Sequence, residues 1–179
     1  MADKLRWGVL GNALIARKCV MPAISASNNG VLHGLATSRP DEAETLVEEY
    51  GIEVLTEDYD DLLADPAIDA VYLPLPNQLH ERWVIRALKA GKHVLCEKPL
   101  ACSAAEAVTM AEAATRSGRL LMEAQMYRFH PRTQRIEEMV AEGAIGIPRL
   151  VRAAFCFSMS DELLADGTNY RLNSARGGG

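Results

Sequence analysis

The sequence predicts an α/β fold in which a parallel sheet is covered by helices on both faces. Short apolar segments alternate with amphipathic stretches of ten or more residues through the first 125 positions. Residues that favour helix starts and stops border these stretches. Because a parallel strand is reached only through a crossover, this alternation is typical of a doubly wound sheet with right-handed βαβ units.

Six apolar segments have the length and composition of buried strands. They cover residues 5–10, 31–37, a short edge segment near Val54, 68–73, 93–96 and 120–124. Gly11 ends the first segment and permits a tight turn before the next helix. The first 37 residues therefore predict a complete strand, helix and strand unit.

The helices between these strands have recognisable ends. They are predicted over 14–27, from Pro40 to Gly51, over 59–64, over 78–90 before Gly91, and from Ser103 to Gly118. Pro22 should bend or interrupt the first helix. Ser103 and Glu106 have capping-box spacing, in which each side chain accepts a backbone N–H of the opening turn.

The pattern changes after residue 125, so we predict two domains, 1–125 and 126–179. Pro131 opens a helix, and 149–157 alternates so that four apolar residues share one face: Val151, Ala153, Phe155 and Phe157. This alternation predicts the first strand of a second sheet. The terminal glycine run is an unusual place for a domain to stop, so we expect the truncated start of a second α/β substrate domain.

Composition limits the function classes. The chain has 179 residues, of which 49% are apolar and 24% charged, and its net charge is −5. No segment approaches the roughly 18 apolar residues of a membrane span. The basic residues are scattered, so we expect a small-molecule ligand and no nucleic-acid or membrane partner.

The start of the chain runs directly into the first strand without a charged-then-apolar leader, which indicates a cytoplasmic protein. The cysteines lack Cys-x-x-Cys spacing, so we expect reduced thiols and no metal site. Cys96 ends an apolar strand and is interpreted as a small core residue.

The segment after the first strand is a candidate ligand loop, since ligands of an open parallel sheet bind beyond the carboxyl ends of its strands. Gly11, Asn12, Ala13, Leu14 and Ile15 stand where a glycine-rich pyrophosphate loop would lie. The free N–H groups of the following helix start would attract phosphate. An ordinary strand-to-helix turn is the alternative interpretation.

Thr37, Ser38 and Arg39 follow the second strand. An NAD site usually has Asp or Glu there, which accepts hydrogen bonds from the adenosine ribose and repels the 2′-phosphate of NADP. Arg39 can instead pair with that phosphate and stack on adenine. These residues favour NADP over NAD, and a helix cap with a surface arginine is the alternative.

The turns after the fourth and fifth strands supply further candidates. The proline-rich turn at 74–80 presents Asn77 and His80 near the same rim. Glu97 and Lys98 follow the fifth strand, where Pro99 restricts Lys98 to extended geometry and directs its ammonium out of the sheet. A structural histidine and a solvated lysine are the alternatives.

These motifs together resemble one family. Residues 91–99, with Pro76, Asn77 and His80, are similar to the Gfo/Idh/MocA family of NAD(P)-dependent sugar oxidoreductases. The segments most like its NADP-dependent xylose and trans-dihydrodiol dehydrogenases are 74–77, Trp83, 122–124 and 127–131. The resemblance implies a Rossmann-type first domain, a second α/β domain that supplies substrate and subunit contacts, and a homo-oligomer when the protein is full length.

By this resemblance the protein would transfer a hydride between nicotinamide and a carbinol or carbonyl carbon of a sugar or diol. Lys98 would be the catalytic residue, because a fixed ammonium stabilises charge on the substrate oxygen. Further cofactor contacts would come from Leu75, Pro76, Asn77, His80, Glu97 and Lys98 itself.

Asn77 and His80 would position the nicotinamide ribose. Tyr127 and Arg128 would form the floor of the substrate pocket. Aromatic packing at a domain junction and an arginine paired with a carboxylate are the alternatives for these two residues.

Two features depart from the family pattern. Ala13 stands at the second glycine position of the loop, and the Asp-x-Gly-x-His or Asp-x-Gly-x-Tyr segment that carries the proton-transfer residue would follow Gly179. The alternative function is therefore a non-catalytic nucleotide-binding module, or a fragment lacking that segment. A methyltransferase that uses S-adenosylmethionine is disfavoured, since the Glu-Lys-Pro turn has no role in it.

Overall fold

The computed structural model describes residues 4–156, 158, 160–165, 167, 169, 172–174 and 177. The strands in this part of the chain are β1 (Leu5–Leu10), β2 (Gly30–Ala36), β3 (Val54–Thr56), β4 (Ala70–Leu73), β5 (His93–Cys96) and β6 (Leu121–Glu123). The helices are α1 (Met21–Ala26), α2 (Glu44–Tyr50), α3 (Tyr59–Ala64), α4 (His80–Lys89), α5 (Ala104–Ser117), α6 (Pro131–Ala141) and α7 (Asp161–Ala165). None of the described helices is long and apolar enough to cross a membrane.

The six strands form one parallel sheet in the order β3-β2-β1-β4-β5-β6. This confirms the predicted doubly wound α/β fold. The order reverses between β1 and β4, so the crossovers on the two sides of this point lead away from each other. A crevice therefore opens beyond the carboxyl ends of β1 and β4.

The core lies on both faces of the sheet, because consecutive residues of a strand point to opposite sides. Val9 and Leu10 of β1 belong to different core clusters. In β4, Tyr72 packs in the cluster of Val9, whereas Val71 and Leu73 pack in the cluster of Leu10. All five residues are fully buried. Covering both faces explains why these strands are continuous apolar runs.

Gly34 of β2 lets α3 pack close to the sheet. A Cβ atom at this position would lie 2.5 Å from Cδ1 of Leu62 and 3.2 Å from Cδ1 of Ile68. Because Leu62 is fully buried and Ile68 nearly so, neither can move without repacking the core. Position 34 of the sheet therefore requires glycine.

The predicted helix ends are confirmed at several places. Gly51 and Gly118 follow α2 and α5 with left-handed φ values of 62° and 64°. The backbone N–H of Glu106 donates to Oγ of Ser103 at 3.2 Å. The second bond of the capping box comes from the N–H of Cys102 to Oε2 of Glu106 at 3.0 Å, one residue earlier than in the usual pattern.

The helical region from 14 to 26 is continuous, and its hydrogen-bond pattern changes just before Pro22, where a bend or interruption was expected. It contains a π turn at Ala16–Val20, after which the α-helical pattern of α1 begins at Met21. Pro22 stands in the first turn of α1, where its missing N–H costs little.

The prediction of a strand over 149–157 is wrong for the described residues. Residues 149–156 have no regular secondary structure, and Phe157 lies outside the described residues. Val151 and Phe155 are 83% and 90% exposed. An alternating segment becomes a strand only when another strand pairs with its N–H and C=O groups, and no described strand pairs with this one.

Candidate functional site

A cavity of about 950 Å³ lies beyond the carboxyl ends of the central strands. The predicted residues that line it are Gly11, Asn12, Ala13, Leu14, Ile15, Thr37, Ser38, Arg39, Leu75, Pro76, Asn77, Glu97 and Lys98. Residues that sequence reasoning did not place in a site also line it: Lys18, Cys19, Tyr59, Pro74, Pro99, Met126 and Gly177. The turns after β1, β2, β4 and β5 thus meet around one space.

Gly11 turns the chain at the end of β1. Its φ is +109°, and its N–H donates to the carbonyl of Ala36 at 2.7 Å. A Cβ atom here would lie 2.9 Å from Cδ2 of Leu75, so both the backbone conformation and the close approach require glycine. Ala13 has a negative φ, like every described non-glycine residue, so alanine at the second glycine position causes no backbone strain.

Asn12 lines the cavity and has one buried side-chain oxygen without a partner among the described residues. The residue is buried, and its Nδ2 donates to the carbonyl of Glu42 at 3.5 Å. Its Oδ1 is buried without a hydrogen-bond partner among the described residues. Because buried acceptors are normally paired, this atom suits a ligand that carries hydroxyl or amide donors. A nicotinamide dinucleotide has both, so the residues present fit that cofactor.

Arg39 lies at the β2 side of the cavity. Its backbone N–H donates to Oγ1 of Thr37 at 3.2 Å, and Nη1 of its guanidinium lies 2.9 Å from Oε2 of Glu42. The side chains of Arg39 and Glu42 are 61% and 52% exposed, and ion pairs this exposed contribute about 0–1 kcal/mol. A bound phosphate can therefore replace Glu42 as the partner of the guanidinium.

Asn77 is buried at the β4 side, and its Nδ2 donates to the carbonyl of Gly177 at 2.7 Å. This bond joins positions that are 100 residues apart in the chain. It explains why Gly177 lines the cavity beside Asn77.

His80 is not brought to the cavity, which corrects the prediction that it contacts the cofactor. The residue is fully buried. Its Nδ1 lies 2.9 Å from the carbonyl oxygen of Pro99, and its Nε2 lies 2.8 Å from that of Leu75. A neutral imidazole donates to one of these oxygens and an imidazolium to both. His80 therefore joins the turns after β4 and β5 from behind the cavity wall.

Glu97 and Lys98 form the β5 side of the cavity. Oε1 of Glu97 accepts a hydrogen bond from the Tyr72 hydroxyl at 2.8 Å, and its Oε2 accepts one from the backbone N–H of Lys98 at 3.2 Å. The peptide bond between Lys98 and Pro99 is cis. The Lys98 side chain is exposed and forms no ion pair or hydrogen bond with the residues that the structure describes. Its ammonium is thus available to a ligand.

Tyr127 and Arg128 lie outside the cavity lining. They belong to the 3₁₀ turn Met126–Phe129, in which Met126 lines the cavity and Tyr127 is 57% exposed. Their place in the substrate pocket stays a prediction.

Among the lining residues that were not predicted, Tyr59 is one that its sequence position could have indicated. It follows β3 by only a few residues, and the position after each strand is where such sites form. Lys18 and Cys19 belong to the π turn, whose extra residue per turn changes which side chains face the cavity. No sequence pattern marks that change.

The described cysteines are free, and Cys96 is buried as predicted. Burial, together with the neighbouring carboxylates of Glu97 and Glu123, raises the pKa of the Cys96 thiol. Within the described ranges, no group of three or more His, Cys, Asp or Glu residues can hold a metal ion.

The strand order, the glycine turn after β1 and the cavity at the reversal of the sheet define a dinucleotide-binding protein of the Rossmann type. Residues 5–125 match the sequence model of the GFO_IDH_MocA oxidoreductase family, which has an NAD-binding Rossmann fold. The chain therefore belongs to the Gfo/Idh/MocA family, and the prediction from its motifs is confirmed.

Similar proteins include both kinds of dehydrogenase that the motifs indicated. A D-xylose 1-dehydrogenase (NADP(+)) from Haloferax volcanii is 43% identical over 157 residues, which are 88% of this chain and 48% of that protein. The trans-1,2-dihydrobenzene-1,2-diol dehydrogenase of Mus musculus is 34% identical over 158 residues, which are 87% of this chain and 47% of that protein.

Among solved structures, a 3-ketoreductase from Actinomadura kijaniata in complex with TDP-benzene and NADP has a TM-score of 0.75 and 41% identity. The match covers 80% of this chain and 45% of that chain. The chain spans about half the length of the relatives it matches.

Proposed function

We propose that the cavity binds NADP and that the chain is part of an oxidoreductase acting on a sugar or diol. The observation that carries this proposal is the meeting of the Gly11 turn, Arg39 and Lys98 around one cavity. These are a pyrophosphate site, a partner for the 2′-phosphate and a free ammonium. Relatives named as NADP-dependent xylose dehydrogenase and as a ketoreductase complexed with NADP support the choice of cofactor and substrate class.

The adenosine end of the cofactor would lie at the β2 side. Ser38 and Arg39 offer a hydroxyl and a guanidinium there, and residues 37–39 contain no carboxylate. The nearby Glu42 carboxylate would have to move away from the guanidinium when the 2′-phosphate binds. The pyrophosphate would lie against the loop 11–15, where free N–H groups begin the helical region.

The nicotinamide end would lie near Asn77, Glu97 and Lys98. NADP supplies or accepts the hydride when it is bound. The substrate oxygen would gain negative charge when a hydride arrives at its carbonyl carbon. In the reverse direction it would gain that charge by losing its proton and give it up as the hydride leaves. The Lys98 ammonium would stabilise the charged oxygen. Tyr127 and Arg128, next to Met126 at the rim, would contact the hydroxyl groups of the substrate.

We further propose a cytoplasmic homo-oligomer for the full-length protein. The free cysteines suit a reducing compartment. The apolar residues Ile136, Ile147, Val151 and Phe155 are more than half exposed, and a larger assembly would cover them.

The cofactor assignment is tested by calorimetric titration of the purified chain with NADP and with NAD. The parent should bind NADP more tightly. Arg39→Ala should lose about 1–3 kcal/mol of binding free energy for NADP and much less for NAD, because the lost bonds go to the 2′-phosphate.

Arg135→Ala is the matched control, since Arg135 forms an i,i+3 pair with Glu138 of similar exposure, 59% and 60%, away from the cavity. It should change neither affinity by more than about 0.5 kcal/mol. Tighter binding of NAD by the parent, or equal losses for both nucleotides in Arg39→Ala, would refute the NADP assignment.

A further inference from the structure

Tyr72 occupies a core position that a phenylalanine ring would fill equally well, so its hydroxyl needs an explanation. It is fully buried in β4 and packs in the core cluster of Val9 and Leu35. A hydroxyl in such a position must find a partner, since an unpaired buried hydroxyl is costly. Its partner is Oε1 of Glu97, at 2.8 Å. The ring therefore belongs to the core, whereas the hydroxyl reaches the candidate site.

The pairing of β4 with β5 places this contact at the strand ends. Tyr72 pairs with Leu95 and Leu73 with Cys96 in the parallel register. The N–H of Glu97 donates to the carbonyl of Leu73 at 3.1 Å, so Glu97 is the first residue beyond β5. Its carboxylate then turns back over the end of β4, where the Tyr72 hydroxyl meets it.

The Glu97 carboxylate is held at both oxygens. Oε1 accepts from Tyr72 at 2.8 Å, and Oε2 accepts from the backbone N–H of Lys98 at 3.2 Å. Burial and the nearby carboxylate raise the pKa of Tyr72, so its hydroxyl stays protonated and can only be the donor in this pair. The chain of bonds runs from a core side chain, through a carboxylate that lines the cavity, to the backbone of Lys98.

We propose that Tyr72 is a positioning residue for the nicotinamide end of the site. Its hydroxyl fixes the Glu97 carboxylate, and that carboxylate fixes the backbone from which the Lys98 side chain extends. Glu97 itself lines the cavity, so holding its carboxylate in place lowers the cost of ordering this binding group when the ligand arrives. The inference rests on the proposed NADP function and assigns to that site a residue that does not line it.

The test compares two ligands that differ at the nicotinamide end. NADP occupies the whole proposed site, whereas adenosine 2′,5′-bisphosphate carries only the adenosine end, on the β2 side. Tyr72→Phe should weaken NADP binding roughly 3- to 10-fold. This is the effect expected from losing one hydrogen bond to a charged carboxylate when that bond does not itself contact the ligand. Binding of the bisphosphate should stay within about twofold, because its contacts lie on other turns.

Tyr50→Phe is the matched control. Tyr50 packs against the same core cluster as Tyr72, and it does not line the cavity. Loss of its hydroxyl should leave both affinities within about twofold of the parent.

A double-mutant cycle tests whether Tyr72 acts through Glu97. Glu97→Ala should show the same selective loss of NADP, and adding Tyr72→Phe to it should change NADP affinity by less than about twofold. Glu97 is half-buried and outside the core clusters, so Glu97→Ala should fold, and parent-like NADP affinity in it would exclude the route through the carboxylate even if Tyr72→Phe fails to fold.

Each remaining outcome overturns a stated part of the reasoning. Parent-like NADP affinity in Tyr72→Phe or in Glu97→Ala, or equal losses of both ligands, would leave Tyr72 a structural residue only. A loss that persists undiminished in the Glu97→Ala background would exclude the route through the carboxylate. A parent chain that binds the bisphosphate but not NADP, or binds neither, would refute the proposed function itself.

Discussion

Replacing His80 with alanine should destabilise the protein by about 4 kcal/mol, because three costs combine. The carbonyl of Leu75 is in a buried hydrogen bond, and an acceptor left unpaired there costs about 1–3 kcal/mol. The carbonyl of Pro99 is in a partly buried bond and can reach water, so its loss costs less than about 1 kcal/mol. The space left by a fully buried ring adds about 1–2 kcal/mol.

The measurement is urea unfolding followed by circular dichroism, with a thermal scan alongside. A loss of about 4 kcal/mol corresponds to a fall in Tm of roughly 8–16 °C for a chain of this size. His80→Gln retains one amide donor group and should lose about half as much. Gln78→Ala is the control, since Gln78 is exposed in the 3₁₀ turn Asn77–Leu79 that immediately precedes His80, and it should cost less than about 0.5 kcal/mol.

A loss below about 1 kcal/mol in His80→Ala would contradict the stabilising role assigned to its hydrogen bonds. It would mean that the two turns hold their positions without the imidazole. If His80→Ala remained stable but lost NADP affinity, the result would support the direct cofactor contact predicted from the sequence.

Two further predictions follow from the site and the core. Lys98→Met in the full-length protein should keep NADP affinity and lower kcat/KM at least about a hundredfold, measured as NADPH absorbance; normal turnover would remove Lys98 from the proposed role. Gly34→Ala should destabilise the chain by about 1–3 kcal/mol in urea, since its Cβ would lie 2.5 Å from Leu62. Adding Leu62→Ala should then cost less than in the parent, and strictly additive losses would contradict the proposed overlap.

The sheet and helices could be predicted from the sequence because local signals and the tertiary fold agree. The strand at His93–Cys96 and the helix at Tyr59–Ala64 have the predicted bounds. Gly51 and Gly118 end helices because a left-handed residue is required there, and glycine adopts it without strain.

The segment 149–157 shows what a local pattern leaves open. Its alternation satisfies the side-chain requirement of a strand and says nothing of a pairing partner. Residues 121–123 form β6 with a weaker pattern because β5 is beside them, whereas the described strands leave 149–156 unpaired. Strand formation is a property of two segments, so one segment alone does not predict it.

The direction of His80 was predictable from the spacing of the buried residues of α4. His80, Trp83, Val84, Ala87 and Leu88 are the buried residues of α4, and their spacing of i, i+3, i+4, i+7 and i+8 marks one helix face. A histidine on that face points to the core, even though its sequence position lies beside a strand end. The nearby prolines do mark a turn at the rim of the cavity, but the His80 side chain points away from that rim.

Tyr72 and His80 hold the turn after β5 from opposite faces of the sheet. Tyr72 packs in the cluster of Val9 and binds the Glu97 side chain, whereas His80 lies on α4, whose apolar residues pack in the other cluster, and faces the Pro99 carbonyl. Lys98 stands between these two contact points. Its backbone is therefore tied to both halves of the core, while its side chain is exposed and unpaired among the described residues. Electrostatic stabilisation of a reacting oxygen requires a charge held in place, and the fixed backbone holds the Cα end of the Lys98 side chain, so a bound ligand would have to order only the side chain itself.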